Sequence, residues 1–364
     1  MKAAIISLGS KSSLMVAEAM ENYFDQVDLI NLRELEVILG RDGGIFYQGE
    51  KFENYDCVYV KGSFRYAHLL RSISSMLEGK VAYLPLPATA FTIVHNKLLT
   101  HLALQQHNIP MPRTFVSPNA DTARELLKKV NYPIVMKFPE GTQGKGVMFA
   151  DSFASASSLL DALGALNQPF IIQEYIDSGG ADIRVLVVGD NAVAGMRRVA
   201  QKEEKRANIH AGGTGEPVKL NRETFNLAVR TAKALGSDVC GVDILESPLG
   251  PMVIEANISP GLQGLSKVSP VDVAKEIAKY FARKTQEALG EKRVSEGKDV
   301  LKDLDINNQI EEKSNDSEII TNLSFKGERI LLPELITKTT GFNELKNYVI
   351  KTKKGKLEIE EFNM

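Results

Sequence analysis

Three oxygen-bearing side chains on two neighbouring apolar runs have the makings of a hard-cation site. Asp243 stands in "GVDIL", Glu255 and Asn257 stand in "VIEAN", and a "SPLG" turn between the runs makes them a hairpin. Residues two apart on a strand share a face, so Glu255 and Asn257 project together, and Asp243 can join them from the neighbouring strand. An all-oxygen set suits Mg²⁺ carrying nucleotide phosphates rather than zinc. The competing reading of the same spacing is an edge hairpin with scattered acids. The five histidines (His68, His95, His101, His107 and His210) form no H-E-x-x-H motif and pair with no cysteine, and they read as surface or core residues. A cationic half comes from Lys137, at the end of the apolar run "PIVMK", where a charge is costly unless it meets an anion. Lys97 opens a helix after "IVHN".

Directly after Lys137 comes the glycine-rich stretch "FPEGTQGKGVMFA", Phe138 to Ala150. It is not a P-loop: Pro139 stands where the first glycine belongs, and Gly146 where the magnesium-binding hydroxyl belongs. Nor is it a dinucleotide fingerprint, because it reads G-x-x-G-x-G and runs into β-prone Val147-Met148-Phe149 instead of a helix. The loop therefore joins two strands. The run "IIQEYI" adds a strand whose tail can offer backbone groups to an adenine edge.

The elements that must hold these residues alternate in type. "AAIISL", "VDLINL", "YDCVYVKG" and "VAYLPLP" read as strands, with helices at "SSLMVAEAMENYF", capped by Ser12 or Ser13, and at "RYAHLLRSISSML". This βαβ rhythm predicts a small parallel sheet. A helix at "NKLLTHLALQQ", stopped by Pro110 and Pro112, leads to strands "TFVS", "YPIVMKF" and "VMFA", with helices over 121–129 and 153–163. "PFIIQEYI", "DIRVLVVG" and "AVAGMRRVA" continue as strands. A polar loop over 200–219, a helix over 221–235, the hairpin and a helix over 270–289 follow.

Of the 364 residues 43% are hydrophobic and 25% charged, the balance of a globular protein with a substantial core. A net charge of −2 gives no general attraction to nucleic acid or anionic membranes. Cys57 and Cys240 make no C-x-x-C pair, and no apolar stretch reaches membrane-spanning length. A cytoplasmic protein is expected.

In this order and spacing, Lys97, Lys137, "EGTQGKGV", "QEYI…DIR", "GVDIL" and "EANISPG" resemble the ATP-grasp superfamily, and more narrowly the RimK family of ATP-dependent glutamate ligases. The likeness runs over about residues 85–285. It implies a fold that is α/β and α+β. An N-terminal pre-ATP-grasp, Rossmann-like domain would occupy 1–87, and an ATP-grasp domain of two α+β subdomains, with a flap loop at 139–147, would occupy 88–290. A charged linker at 291–318 and a small β-rich module at 319–364 would complete the chain.

The resemblance also implies roles. Lys97 and Lys137 would bind ATP phosphates under a flap containing Gly141, Thr142, Gln143, Gly144, Gly146 and Val147. Gln173, Glu174, Tyr175 and Ile176 would hold the adenine, with Asp182 at the ribose. Asp243, Glu255 and Asn257 would hold two Mg²⁺ ions, with Mn²⁺ as a substitute. A substrate carboxylate would attack the γ-phosphate to give an acyl phosphate, from which an amine would displace phosphate. Arg184 and Arg198 would meet the acyl phosphate or a substrate carboxylate. The loop "KRANIHAGG" resembles the family's "FRSNLHRGG", which places Arg206, Asn208, His210, Gly212 and Gly213 at the incoming amino acid. Asn208 is also a candidate for the catalytic step. Ala211 departs from that pattern, since relatives commonly carry arginine there, which opens the choice of amino acid to one other than glutamate or to an amino-group carrier protein. The partners implied are an amino acid and a carboxylate acceptor. A different class with the same residues is a nucleotide-sensing regulatory protein with a nucleic-acid-binding tail; the intact lysine, flap and metal positions favour catalysis.

That tail, "SFKGERILLPELITKTTGFNELKNYVIKTKKGKLEIEEF", loosely resembles an AbrB-type swapped-hairpin domain through K-G-x-R-I-x-L-P, a short helix ending near Gly341 and two strands around "KKGKLEI". Eight basic against six acidic residues in 319–364 leave +2, thin for a DNA footprint, so a homo-oligomer is the expectation.

Overall fold

The computed structural model describes residues 1–41, 43–52, 54–117, 119–139, 146–165, 169–199, 214–303, 324–326, 329–331, 348–353 and 356–361. The chain divides into two compact units, Met1–Asp299 and Val300–Met364.

The first unit opens with a parallel sheet, β2 (Gln26–Asn31), β1 (Lys2–Ser7) and β6 (Cys57–Val60), in that order. Its central strand is apolar and buried from Ala3 to Ile6, as a parallel strand covered on both faces must be. Helix α1 (Lys11–Met20) begins earlier than the sequence suggests, by less than one turn. Gly9, at φ +71, turns the chain, so Ser10 rather than Ser12 or Ser13 is the cap, its Oγ accepting from the Ser13 amide. Helix α2 (Ala67–Leu77) buries Leu70, Ile73, Ser74 and Leu77, a 3–4 spacing along one face. Between β2 and β6 lies an antiparallel sheet, β3 (Leu35–Ile38), β4 (Gly44–Tyr47) and β5 (Glu50–Lys51). "VAYLPLP" does not become a strand: its pairing is one bridge, Tyr83 with Cys57, because Pro85 and Pro87 have no amide hydrogen to donate.

Helices α3 (Ala88–Val94) and α4 (Lys97–Gln106) lead to two antiparallel sheets. The first, in order, is β7 (Thr114–Val116), β10 (Ile171–Glu174), β8 (Ile134–Lys137) and β9 (Val147–Ala150). Helices α5 (Ala120–Leu127) and α6 (Phe153–Ala165) cover it through a small separate core of Leu127, Ile134, Met136, Ala150, Leu160 and Ile172. The second is β13 (Thr214–Pro217), β12 (Asn191–Val199), β11 (Ala181–Val188), β14 (Val239–Ser247) and β15 (Gly250–Asn257). Its apolar face joins α7 (Arg222–Ala234), α8 (Gln263–Val268) and α9 (Val273–Asp303) in a core continuous with that of the parallel sheet. The turn after β15 is hooked at three points to α1 and to the end of β6. Lys61 Nζ donates to the Pro260 carbonyl (2.8 Å), the Gly62 amide to Ser259 Oγ (3.1 Å) and the Leu262 amide to Ser12 Oγ (2.9 Å).

Helix α9 continues into the first part of the charged stretch expected as a linker. In the second unit, β16 (Ser324–Lys326) pairs with β17 (Arg329–Leu331), and β18 (Tyr348–Lys353) with β19 (Lys356–Glu361). The last pair holds the two strands expected around "KKGKLEI"; the helix expected to end near Gly341 lies outside the described residues.

Candidate functional site

Strand alternation builds a cleft between the two antiparallel sheets. On β8, Ile134 and Met136 enter the small core while Val135 and Lys137 face the other way; on β9, Met148 and Ala150 enter it while Val147 and Phe149 face the cleft. The opposite wall carries Asp182, Arg198, Asp243, Leu245, Ile254 and Glu255, and the space between holds about 160 Å³.

On β15, Val253 and Ala256 are both buried in the core, although strict alternation would put them on opposite faces. A register shift resolves this: Asp243 pairs with Glu255 but Ile244 pairs with Val253, leaving Ile254 as the extra residue of a bulge. The bulge lets Glu255 face the cleft beside Asp243 without pulling Val253 out of the core. The sequence rule correctly put Glu255 and Asn257 on one face, and gave no sign of the bulge that aligns Glu255 with Asp243.

Arg184 pairs with Asp243 across β11 and β14, and Asp182 with Arg198 across β11 and β12. Both Arg184 and Arg198 reach Asp243. Arg184 Nε and Nη2 donate to its two oxygens at 2.7 Å each, and Arg198 Nη2 lies 2.8 Å from Oδ2. Arg198 also grips Asp182 with Nε and Nη2 at 2.6 and 2.8 Å. Burial pushes the Asp243 carboxyl up, but the two guanidinium groups outweigh it and hold the group at about 2. Asp182 goes the other way, to about 6, because burial and the Asp243 charge outweigh its share of Arg198. Two cations and two anions thus neutralise one another.

The facing wall is different. Lys137 Nζ donates to Gln173 Oε1 at 2.6 Å, and burial pulls the lysine down to about 8, Glu255 across the cleft opposing that shift. Lys97 begins α4, where Asn96 Oδ1 caps the amides of Leu98 and Leu99 at 3.0 and 3.2 Å. The Lys97 amide donates to the Pro139 carbonyl (3.1 Å), which ties this helix to the root of the glycine loop. At the other root the Phe138 amide meets the Gly146 carbonyl at 3.4 Å. Gly146 has φ +76, and a Cβ there would sit 2.2 Å from the Phe138 ring, so glycine is required.

The "QEYI" tail lines the same cleft. Tyr175 meets Phe149 edge to face at 6.0 Å, and a Glu174 oxygen accepts from the Arg113 amide at 3.4 Å. With Val135, Val147, Ile176, Leu245 and Ile254 they line the cavity with apolar surface. Val135, Phe149, Leu245 and Ile254 were missing from the sequence-based site. Strand alternation pointed to the first three, and nothing pointed to Ile254. Gly141, Thr142, Gln143 and Gly144 of the flap, and Arg206, Asn208, His210, Ala211, Gly212 and Gly213, lie outside the described residues.

Among the described residues no group of three or more His, Cys, Asp or Glu side chains is arranged to hold a metal ion. Asp243, Glu255 and Asn257 are therefore a set of two carboxylates and one amide, all hard oxygen donors. Asn257 Oδ1 also accepts from the Ser259 amide at 2.8 Å.

The model of the RimK-like ATP-grasp domain matches residues 94–281. The chain belongs to the RimK-like ATP-grasp family. A probable alpha-L-glutamate ligase of Cellvibrio japonicus (strain Ueda107) is 35% identical over 286 residues, 77% of this chain and 95% of that protein. Another, of Picosynechococcus sp. (strain ATCC 27264 / PCC 7002 / PR-6), is 35% identical over 288 residues, 78% of this chain and 96% of that protein. The ATP-grasp ligase PsnB, solved with a minimal precursor, Mg and ADP, has the same fold (TM-score 0.61, 19% identity, 78% of this chain and 98% of that chain). The RimK-like chain is an ATP-dependent ligase that joins a carboxylate to an amine. Among its described residues no helix is long and apolar enough to cross a membrane.

Proposed function

We propose that this RimK-like enzyme adds an amino acid, with glutamate the leading candidate, to a protein C-terminus, a peptide or a small-molecule carboxylate by way of an acyl phosphate. One observation carries the reading: Lys137, a half-buried cation at the end of an apolar strand with the neutral Gln173 as its hydrogen-bond partner, faces Glu255 across the cleft. Such a charge is poorly solvated until an anion reaches it.

In this reading adenine lies among Val135, Phe149, Tyr175, Leu245 and Ile254 against the backbone of Gln173–Ile176, with Asp182 at the ribose side. Lys137 and Lys97 meet the phosphates, and the flap from Gly141 to Val147 closes over them and excludes water. Glu255, Asn257 and Asp243 suit Mg²⁺, as two ions or with Mn²⁺ in its place, since every donor is oxygen. Magnesium, when bound, would offset charge on the transferring phosphoryl group. Three N–H groups already point at Asp243, which leaves about one of its roughly four acceptor directions for an ion. Arg198, the more deeply buried of the two arginines, fixes Asp182 and Asp243; Arg184, at 18% side-chain exposure against 4%, is the one able to turn toward a substrate carboxylate or acyl phosphate. Arg206, Asn208, His210, Gly212 and Gly213 belong to the amino-acid pocket, with Asn208 close to the reacting groups.

A second reading keeps the reaction and changes the amino acid or supplies it on a carrier protein. Ala211, in place of the arginine common in relatives, supports it. We take domain boundaries near residues 87, 290 and 318, and assign the module at 319–364 to self-association, since a net charge of +2 there is small for DNA. Release of ADP by the purified protein, screened over amino acids crossed with carboxylate acceptors and followed by mass spectrometry of products, tests the proposal. Turnover with glutamate and one acceptor class is the expected result, and no ADP above background with any pair would sink it.

A further inference from the structure

Behind Lys137 lies a buried polar chain that no part of the proposed reaction uses directly. Gln173 is 2% exposed and His101 6% exposed. Gln173 Oε1 accepts from Lys137 Nζ (2.6 Å), while its Nε2 lies 2.9 Å from His101 Nε2 and 2.9 Å from Thr114 Oγ1. His101 Nδ1 lies 2.6 Å from the Lys97 carbonyl, and Thr114 Oγ1 donates to the Pro112 carbonyl at 3.0 Å.

The direction of every bond follows from the two carbonyls at its ends. A backbone carbonyl only accepts, so His101 carries its proton on Nδ1 and offers a bare Nε2 as acceptor. Burial supports the neutral ring, since it pulls His101 down to about 4. Thr114 spends its single hydrogen on Pro112 and offers an oxygen lone pair. Gln173 therefore meets two acceptors on one side and must turn its amide nitrogen toward them. Its oxygen is left for Lys137. Turned the other way, the amide would set N–H groups against an ammonium and an oxygen against two lone pairs. The chain also links the helix turn carrying Lys97 to the strand end carrying Lys137, through β10.

We propose that His101 is a positioning residue that, through Gln173, holds the Lys137 ammonium where a phosphate oxygen must meet it. The inference rests on the reading of this cleft as the ATP site. Thr114 shares the task, and the Lys97 and Pro112 carbonyls fix the polarity. A mere core histidine would fill space; this one decides which face of an amide the cleft lysine sees.

Acetylation of Lys137 by trace acetic anhydride across a pH series, read by peptide mass spectrometry, reports the ammonium without turnover. In His101→Leu the Gln173 amide is free to turn and Lys137 loses its acceptor, so its titration moves to lower pH. ATP affinity, measured by calorimetry with Mg²⁺ present, falls about tenfold, the size of one charge-assisted hydrogen bond. His101→Gln, which keeps an acceptor near the Nε2 position, restores most of both. Thr114→Val, close in shape, moves both the same way by less, and serves if His101→Leu does not fold. In a Gln173→Met background, His101→Leu adds nothing further. An unchanged Lys137 titration in both His101→Leu and Thr114→Val would overturn the proposal, as would a full additional effect of His101→Leu on Gln173→Met. The site reading fails separately: ATP would then leave the acetylation of Lys137 in the unaltered protein unprotected.

Discussion

On the five-stranded wall of the cleft, Asp182, Arg198, Asp243 and Arg184 cancel one another's charge at hydrogen-bond distance. On the four-stranded wall, Lys137 leans on the neutral Gln173, itself held by His101 and Thr114. Both walls put charge where water is scarce. The first completes its own electrostatics, so it can be rigid before any ligand arrives. The second leaves a positive charge whose best partner is still to come. The core of the four-stranded sheet is separate and small, whereas the five-stranded sheet shares its core with the N-terminal sheet. Stability is therefore expected to depend on one wall and ligand response on the other.

Breaking the self-sufficient wall has the largest expected effect. Arg198→Met leaves two buried carboxylates with Arg184 alone and costs roughly 3–5 kcal/mol, read as a lower urea midpoint. Lys137→Met is the contrasting case. Its kcat falls about 100-fold or more, as for loss of a charge-stabilising donor, while the urea midpoint is unchanged or higher because a desolvated ammonium is gone. A drop in stability as large as that of Arg198→Met would erase the distinction between the walls. Gly146→Ala probes the loop root: the new methyl meets the Phe138 ring in a positive-φ position, and a cost of about 1–3 kcal/mol is expected to appear as a raised KM for ATP. The smallest effect sharpens the comparison most. Burial holds free Lys137 near 8, and a phosphate partner raises it, so ATP binding above pH 8 takes up a proton and weakens as pH rises. Calorimetry at pH 8.5 in buffers of different ionisation enthalpy measures that uptake, and Lys137→Met abolishes it.

The part of the site that follows from one strand at a time was legible in the sequence. Lys137 ending an apolar run, Glu255 and Asn257 sharing a face, and a glycine loop joining two strands all follow from a period of two and from the cost of burying charge. What needed strand register was hidden. The pairing of Arg184 and Arg198 with Asp243 depends on which residue of β11 lies opposite Asp243 on β14, and on which residue of β12 can reach it over β11. The bulge at Ile254 shows only when Val253 and Ala256 are both found in the core. His101 looked like a core residue because its role depends on a partner 72 positions away. In the fold, the βαβ start was anticipated, as were the strands of the two antiparallel sheets except β13, which formed at the end of the stretch read as a polar loop over 200–219. The sheet of β3, β4 and β5 was not, its strands being short and set among charges and glycines; nor was α3, whose "ATAFTIV" is rich in β-branched residues.

Three hydrogen bonds from Lys61, Gly62 and Leu262 fasten the turn after β15 to the N-terminal sheet and α1. Anyone building chimaeras between RimK-like ligases must therefore move residues 9–13, 57–62 and 259–262 as one set. A graft that divides them leaves the Lys61 ammonium, 5% exposed, without its carbonyl, and loosens the loop directly after Asn257. Exchange of the N-terminal region is then limited by the turn at one end of the candidate metal strand as well as by the apolar core the two parts share.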